Sequence, residues 1–364
     1  MAPLEPWEKV LVKPEFFSGV HGKIACVACH KGNQEATNKD SAHVGLVADP
    51  TEDAQTYCAG CHTNIVEHFN KSVHLNQNGY FTLFKARAGR SIKDDPNLMQ
   101  HFKNDCGQCH TTCGQCHVSR PTSTKGGFIM GHSFRKTPDM INNCTACHGS
   151  RVGEEYLGQR EGYRPDVHWV PGGKRCEFCH KDAELHGTGI ESDTRYDVPN
   201  TPRCEDCHQD KAAANIYHTV HWKDLQCEVC HSQDYKSCNS CHAGAGGLAE
   251  PSYISFKIGK NPIKSARHPK DYVVLRHIPI SRDTYAAWGV PDLPHYNSLP
   301  TWKYSTPHNI QRWTTRTDTT GSGGNCALKC HSTKEFFLRE ADVAPEELEA
   351  NRNVIVPADV PPKP

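Results

Sequence analysis

The stretch CGQCHTTCGQCH runs from residue 106 to residue 117 and spells the motif Cys-x-x-Cys-His twice. The same motif begins at seven other positions, and a variant with one extra residue, Cys-x-x-x-Cys-His, begins at position 326. Together the ten motifs use all 20 cysteines of the 364-residue chain. These cysteines are Cys26, Cys29, Cys58, Cys61, Cys106, Cys109, Cys113, Cys116, Cys144, Cys147, Cys176, Cys179, Cys204, Cys207, Cys227, Cys230, Cys238, Cys241, Cys326 and Cys330.

The motif is typical of covalent attachment of a c-type haem, in which two thioethers hold the macrocycle and the adjacent histidine is the proximal iron ligand. Zinc ribbons do not need a histidine after each cysteine pair, and disulfides between cysteines three apart are uncommon. Histidine makes up only 24 of 364 residues, so its presence after all ten pairs is not accidental. The sequence therefore predicts ten haem c groups per chain, with the proximal ligands His30, His62, His110, His117, His148, His180, His208, His231, His242 and His331.

The composition predicts that haem replaces much of the apolar core. Hydrophobic residues are 36% of the chain even when the cysteines are counted among them. Ten haems share 364 residues, or about 36 residues each, which is too few to enclose every haem separately. We expect a multihaem cytochrome c fold, mostly coil with short α-helices wrapped around closely packed haems and very little β-structure. Helices are predicted near residues 67–72, 210–218 and 345–351.

The motif spacing divides the chain into three parts. Residues 1–242 form a predicted nine-haem body, and residues 243–325 form a motif-free segment that we expect to supply distal ligands. Residues 326–364 carry the tenth haem and an extended C-terminal tail. The motif-free segment contains Trp288, Trp302 and Trp313, and we expect it to fold more like an ordinary protein. The isolated tenth haem is the predicted exit to a partner.

The sixth ligand of each iron is expected to be a second histidine, since 14 histidines lie outside the motifs and only four methionines exist. Two histidine ligands keep the potential of a haem low, whereas a methionine raises it. We interpret His68, His268 and His295 as ordinary histidines. Eleven candidates for ten sites remain, so at least one of them is not a ligand. They are His21, His43, His74, His101, His132, His168, His186, His218, His221, His277 and His308.

Charge and hydropathy limit the partners and the location. The balance of 41 basic and 41 acidic residues argues against nucleic acid as a partner. The sequence contains no run of 18 apolar residues, so no transmembrane segment is predicted. C-type haem is attached outside the cytoplasm, so we expect an extracytoplasmic protein, with the extracellular space or cell surface favoured and the periplasm as an alternative. The N-terminus has no basic or apolar signal region, and we expect that the numbering starts after one was removed.

Several stretches resemble a superfamily of multihaem cytochromes c. They are the Cys58–His62 motif followed by Ser72-Val73-His74, the fused pair 106–117, residues 144–151, and the Cys176–His180 motif followed by Glu184-Leu185-His186-Gly187. The superfamily includes hydroxylamine oxidoreductase, octahaem tetrathionate reductase and surface cytochromes of metal-reducing microbes, and the resemblance covers roughly residues 20–245. It implies that an enzyme of this kind would keep one haem open to substrate. The chain has no Cys-x-x-Cys-Lys motif and enough histidines to close every iron, so no catalytic residue is assigned.

The leading hypothesis is an electron-transfer protein in extracytoplasmic, mainly extracellular, respiration, a carrier rather than an enzyme. Its expected partners are other redox proteins, an external electron acceptor and copies of itself, which would stack end to end into a filament. The alternative is an oxidoreductase that acts on a small nitrogen or sulfur compound at one open haem. A third hypothesis is passive storage of haem or electrons. The same motifs fit this function, and only the partners of the protein would distinguish it from electron transfer.

Overall fold

The computed structural model describes residues 12–109, 111–159, 162–237, 253–317 and 327–361. The predictions for His110, Cys238, Cys241, His242 and Cys326 lie outside the described residues. The chain divides into two compact units, each built from separated stretches. Unit 1 is 1–79, 103–149 and 175–201, and unit 2 is 80–102, 150–174 and 202–364. Motifs 1 to 6 lie in unit 1, and motifs 7 to 10 lie in unit 2.

Most of the secondary structure is short helix, and the longest helices have 11 residues. The α-helices are α1 Cys26–His30, α2 Lys39–Ala42, α3 Ala54–Tyr57, α4 Ala59–Phe69, α5 Val73–Asn76, α6 Asn78–Ala88, α7 Pro96–Asp105, α8 Cys113–His117, α9 Thr145–His148, α10 Glu154–Leu157, α11 Cys176–Cys179, α12 Asp182–Leu185, α13 Ile216–His221, α14 Cys227–His231 and α15 Leu348–Asn351. Three π-helical turns span Met140–Cys144, Gly149–Gly153 and Ala327–Thr333. Short 3-10 turns span Pro14–Ser18, His21–Lys23, Pro50–Asp53, Ile92–Asp94, Gly107–Cys109, Thr122–Thr124, Cys204–Asp206, Gln209–Lys211, Ala286–Trp288, Tyr296–Ser298, Glu340–Asp342 and Pro345–Glu347.

The described strands form two small antiparallel sheets in unit 2. β1 Tyr235–Ser237 pairs with β2 Tyr253–Ser255. β3 Lys257–Lys260, β4 Tyr272–His277 and β5 Trp302–Tyr304 form the second sheet in the order β3-β4-β5. Its register aligns Gly259 with Val273 and Leu275 with Tyr304.

Strand β4 is buried on both faces and organises the apolar core of unit 2. Successive side chains of a strand point to opposite faces, so Val273 and Leu275 lie on one side and Val274 on the other. One cluster contains Val273, Leu275, Trp302, Leu338, Val343 and Val354. The opposite cluster contains Val229, Phe256, Ile258, Val274, Phe337 and Val356, and Cys230 and Cys330 pack against it. The sheet thereby holds motif 8 and motif 10 against one apolar layer.

Unit 1 is held together with few buried apolar side chains. Among its described residues these are Val66, Phe69, Val118, Met140 and Val198. Polar bridges connect its motifs, and the buried Asn143 is the best example. Its amide nitrogen donates to the carbonyls of Gln115 and Ser119, both at 2.7 Å, which ties motif 5 to motif 4.

The predicted fold class is confirmed at the level of short helices, coil and little sheet, with 44% helix and 7% strand. Helix α4, Ala59–Phe69, overlaps the helix predicted at residues 67–72 only in its last turn. In the 210–218 region a 3-10 turn precedes α13, and residues 345–351 are helical as predicted. No helix among the described residues is both long enough and apolar enough to cross a membrane.

Candidate haem centres

Most described motifs fold as a short helical turn that begins at the first cysteine and ends near the histidine. Helices α1, α8 and α14 each run from the first cysteine of a motif to its histidine. Side chains cap some of these turns: the hydroxyl of Thr112 accepts from the backbone N–H of Gln115 at the start of α8. Such a turn directs the two thiols and the imidazole of one motif toward a common region. The described cysteines form no disulfides, as haem attachment requires.

Thiols of different motifs lie next to each other within each unit. In unit 1 the Cys58 thiol hydrogen-bonds the Cys113 thiol, and the Cys144 thiol hydrogen-bonds the Cys176 thiol. These contacts raise the pKa of Cys58 and of Cys144, because a thiolate there would face a second sulfur. In unit 2 a like contact with the Cys227 thiol raises the pKa of Cys204. Motifs 2 and 4, 5 and 6, and 7 and 8 are thus immediate neighbours.

Among the described residues, seven motif histidines face a histidine from outside the motifs, with their ring centroids 6.0 to 6.4 Å apart. Every pair lies within one unit. The pairs in unit 1 are His62 with His21, His30 with His132, His148 with His74, and His117 with His186. The pairs in unit 2 are His208 with His168, His231 with His218, and His331 with His221.

The separation of these rings fits two imidazoles that bind one metal from opposite sides. A metal lies about 2 Å from a coordinating imidazole nitrogen, and that nitrogen lies about 1 Å from its own ring centre. Two such rings therefore have centroids about 6 Å apart, a distance that also falls within the range of about 4.5–7 Å for ordinary aromatic contacts. The His21 ring additionally stacks on Phe134 at a shorter centroid distance of 4.1 Å. Each pair of histidines would therefore be able to hold one haem iron between its two rings.

In five of the paired rings, the hydrogen bond made by Nδ1 leaves Nε2 for a metal. Nδ1 of five motif or facing histidines bonds a backbone carbonyl: His30 to Val47, His117 to Arg135, His218 to Lys211, His221 to Tyr217, and His231 to Gln311. The distances from Nδ1 to the carbonyl oxygen run from 2.6 to 3.3 Å. A metal-binding histidine commonly donates its other ring N–H in this way, which fixes the ring and presents Nε2.

Burial also favours the neutral imidazole that binds metal. Desolvation lowers the pKa of His21, His74, His186 and His231, because a buried imidazolium loses its hydration. A neutral ring keeps a lone pair for the iron, so the donor set suits haem.

Helix caps position two of the facing histidines. The hydroxyl of Ser72 accepts from the backbone N–H of His74 at the start of α5, and the side chain of Asn215 accepts from the backbone N–H of His218 at the start of α13. Short helices of this length are marginal by themselves, so a cap of this kind decides where the turn begins.

Helix α13 serves two motifs at once. His218 and His221 are three residues apart on it and project from neighbouring positions of one helical face. The His218 ring faces His231 of motif 8, and the His221 ring faces His331 of motif 10. One helical turn therefore brings motif 10 close to motif 8, although 83 residues without a motif separate motifs 9 and 10 in the sequence.

Four other candidate ligands have different surroundings. His43 is exposed at the end of α2, and the His101 ring stacks on Trp288 with centroids 6.0 Å apart. Nδ1 of His308 donates to the carbonyl of Thr306. Nε2 of His277 is 2.8 Å from Oε2 of Glu347, and the ring stacks on Trp302. His277 thus uses for a carboxylate the nitrogen that a paired histidine would present to iron.

The sequence did not predict that two carboxylates contact histidines at these centres. Oδ1 of Asp166 is 2.8 Å from Nδ1 of His168, and the Glu184 carboxylate lies 2.9 and 3.0 Å from Nδ1 of His180. Their spacings, Asp-x-His and His-x-x-x-Glu, are visible in the sequence but too common to be diagnostic alone.

The motifs and the facing histidines are those expected of a c-type cytochrome, and a family comparison supports this class. Residues 57–149 match the family model described as cytochrome c554 and c-prime. The matched region contains motifs 2 to 5, and the match supports covalently bound haem c and electron transfer. No curated protein and no solved structure matches the chain.

Proposed function

We propose that the protein carries electrons through ten covalently bound c-type haems, each held by two histidines and therefore low-spin and low in potential. The observation that carries this proposal is the set of seven histidine pairs at 6.0 to 6.4 Å, each joining a motif histidine to one outside the motifs. An iron with two protein ligands has no open position for a substrate, so its role is electron transfer. The protein then contributes spacing, orientation and tuning of potentials.

The scarcity of buried apolar side chains in unit 1 supports the haem content. A unit with six motifs and five described apolar core residues cannot derive its stability from side-chain burial alone. Six haems would supply the missing apolar surface. Several large apolar residues of this unit, such as Phe17, Val20 and Ile190, are exposed and present surface that a macrocycle would cover.

The thiol contacts between motifs support transfer from haem to haem. Each thioether holds the edge of its macrocycle, so motifs whose thiols touch place two haem edges side by side. In unit 1 this applies to motifs 2 and 4 and to motifs 5 and 6. In unit 2 it applies to motifs 7 and 8, while helix α13 links motifs 8 and 10.

The proposal assigns the distal ligands of seven haems and narrows the choice for the other three. The seven pairs use His21, His74, His132, His168, His186, His218 and His221. Of the remaining candidates, His43 lies in unit 1 with motifs 3 and 6, whereas His101, His277 and His308 lie in unit 2 with motif 9. Because Nε2 of His277 is bonded to Glu347, His277 is the candidate that we drop.

We place this electron transfer outside the cytoplasm, in extracellular respiration, with other redox proteins and an external acceptor as partners. Assembly end to end into a filament is part of the same proposal, since exposed terminal haems would meet across a head-to-tail contact. Electron microscopy of the purified holoprotein at high concentration tests it. Filaments would support the assembly, and a monodisperse monomer would contradict it.

The haem content and ligation are tested by spectroscopy of the purified holoprotein. A pyridine haemochrome assay should give ten haems per chain, and the oxidised protein should show only low-spin iron. The EPR spectrum should contain more than one low-spin class, because the angle between the ring planes sets the splitting of the iron d orbitals. That angle is 11° for His117 and His186 and 84° for His74 and His148. A large high-spin fraction, or turnover of nitrite, hydroxylamine or sulfite, would contradict the proposal.

A further inference from the structure

Two of the candidate ligand histidines differ from the others in what their second nitrogen contacts. His30, His117, His218, His221 and His231 bond a neutral backbone carbonyl through Nδ1. His168 and His180 instead bond the carboxylates of Asp166 and Glu184. A carboxylate draws the Nδ1 proton toward itself and makes the opposite nitrogen a stronger donor to a metal.

The Asp166 carboxylate is fixed and shielded from water. The residue is 2% exposed, and both of its oxygens are engaged. Oδ1 accepts from Nδ1 and from the backbone N–H of His168, each at 2.8 Å, and Oδ2 accepts from the backbone N–H of Ile310 at 2.7 Å. A charge held this way in a region of low polarity acts more strongly on its partner than an exposed charge would.

The Glu184 carboxylate reaches back from a short helix to a histidine that precedes the helix in extended backbone. His180 ends motif 6, and Glu184 lies four residues later in α12 Asp182–Leu185. Both carboxylate oxygens lie within hydrogen-bond distance of Nδ1 of His180, and the Glu184 side chain is only 12% exposed. Among the described residues, unit 1 therefore contains the His180–Glu184 pair and unit 2 the His168–Asp166 pair.

We propose that Asp166 and Glu184 lower the reduction potentials of the haems bound by the His168–His208 pair and by His180, relative to haems whose histidines bond carbonyls. This inference rests on the proposed function. The step concerned is a one-electron reduction of ferric to ferrous iron, in which no ligand bond forms or breaks and the Nδ1 proton stays between histidine and carboxylate. A more basic imidazole and a nearby negative charge both stabilise the ferric state. Each unit then has one haem that accepts its electron late.

The test is a spectroelectrochemical titration of the holoprotein and of the variants Asp166→Asn and Glu184→Gln. Each substitution removes the charge and keeps the side-chain shape. We expect one component of the titration to move upward in each variant, with the reduced-to-oxidised ratio of that haem rising about tenfold at a fixed potential, which is 59 mV for one electron.

Matched controls remove a carboxylate of the same unit that touches no ligand histidine. Asp197→Asn in unit 1 loses an acceptor for Thr194, and Asp342→Asn in unit 2 loses an ion pair with Lys257. Both should leave every midpoint unchanged. The inference is overturned if Asp166→Asn and Glu184→Gln retain full haem content and titrate like the wild type. Glu184→Gln remains decisive if Asp166→Asn does not fold.

The proposed function fails separately from this inference. Haem count and spin state of the wild type test the function, whereas the midpoint shifts test only the two carboxylates.

Discussion

His221 and His331 face each other with ring centroids 6.2 Å apart, although they lie on opposite sides of the motif-free segment. His218, one helical turn before His221, faces His231 in the same manner at 6.0 Å. Motif 10 is therefore not isolated in space, despite its isolation in the sequence. Under the proposed function, the haem of motif 8 would be the neighbour of the haem of motif 10.

Removal of His221 should open one haem and leave the others closed. In His221→Ala the iron of motif 10 loses one of its two ligands, so about a tenth of the haem should become high-spin and bind carbon monoxide on reduction. EPR and the carbon monoxide difference spectrum measure both changes. His268→Ala is the control, since the His268 ring contacts Tyr304 and should leave the spin state unchanged. A fully low-spin His221→Ala protein would refute the pairing.

The sequence predicted haem attachment and a sufficient number of ligand histidines, because both depend on short sequence motifs and on composition. A motif such as Cys113–His117 fixes its own turn, and the capped helices of His74 and His218 carry their signal within a few residues. The predicted abundance of short helix followed from the same local patterns.

The pairing of histidines and the sheet of unit 2 could not be read from the sequence. His30 faces His132 and His168 faces His208 only because distant stretches fold together. Strand β4 has an apolar run, Val273-Val274-Leu275, that is too short to distinguish a buried strand from a helix by periodicity. The contact of the Asp166 carboxylate with His168 matters because the carboxylate is buried, and burial cannot be predicted from the sequence spacing.

Substitution of His277 separates a structural histidine from a haem ligand. His277→Leu should lower the free energy of unfolding by about 1–3 kcal/mol, because Glu347 is buried and loses its hydrogen-bond donor. Haem content and spin state should stay as in the wild type. Denaturant unfolding gives the first quantity and EPR the second. The appearance of high-spin iron would instead make His277 an axial ligand.

Gly259 should tolerate no side chain, since β3 passes close to β4 and to the chain near Val354. A Cβ at this position would lie 2.0 Å from Cδ1 of Leu275 and 2.8 Å from the carbonyl oxygen of Val354. Gly259→Ala should therefore cost about 1–3 kcal/mol of stability through overpacking. Gly79→Ala is the control, because a Cβ there meets nothing within 4 Å. Equal denaturation midpoints for the two variants would contradict the close approach.

Asp139 should stabilise unit 1 in a way that depends on pH. Its carboxylate accepts from the backbone N–H of Asn142 at 2.7 Å, and this bond, followed by others from Asn142 and by the charge of Arg175, lowers the pKa of Asp139. A folded-state pKa below the unfolded value means that the contribution is complete above the unfolded value of about 4 and is lost as the pH falls through the folded value.

Asp139→Ala should therefore lower the free energy of unfolding by about 1 kcal/mol at neutral pH and by less in acid. Guanidinium unfolding at neutral pH and at a series of pH values below about 4 measures the difference. Asp139→Asn keeps an oxygen that can accept from Asn142, so it should retain most of the stability at neutral pH and lose the dependence on pH. A constant difference between wild type and Asp139→Ala across this range would show that the carboxylate charge has no part in capping the turn before motif 5.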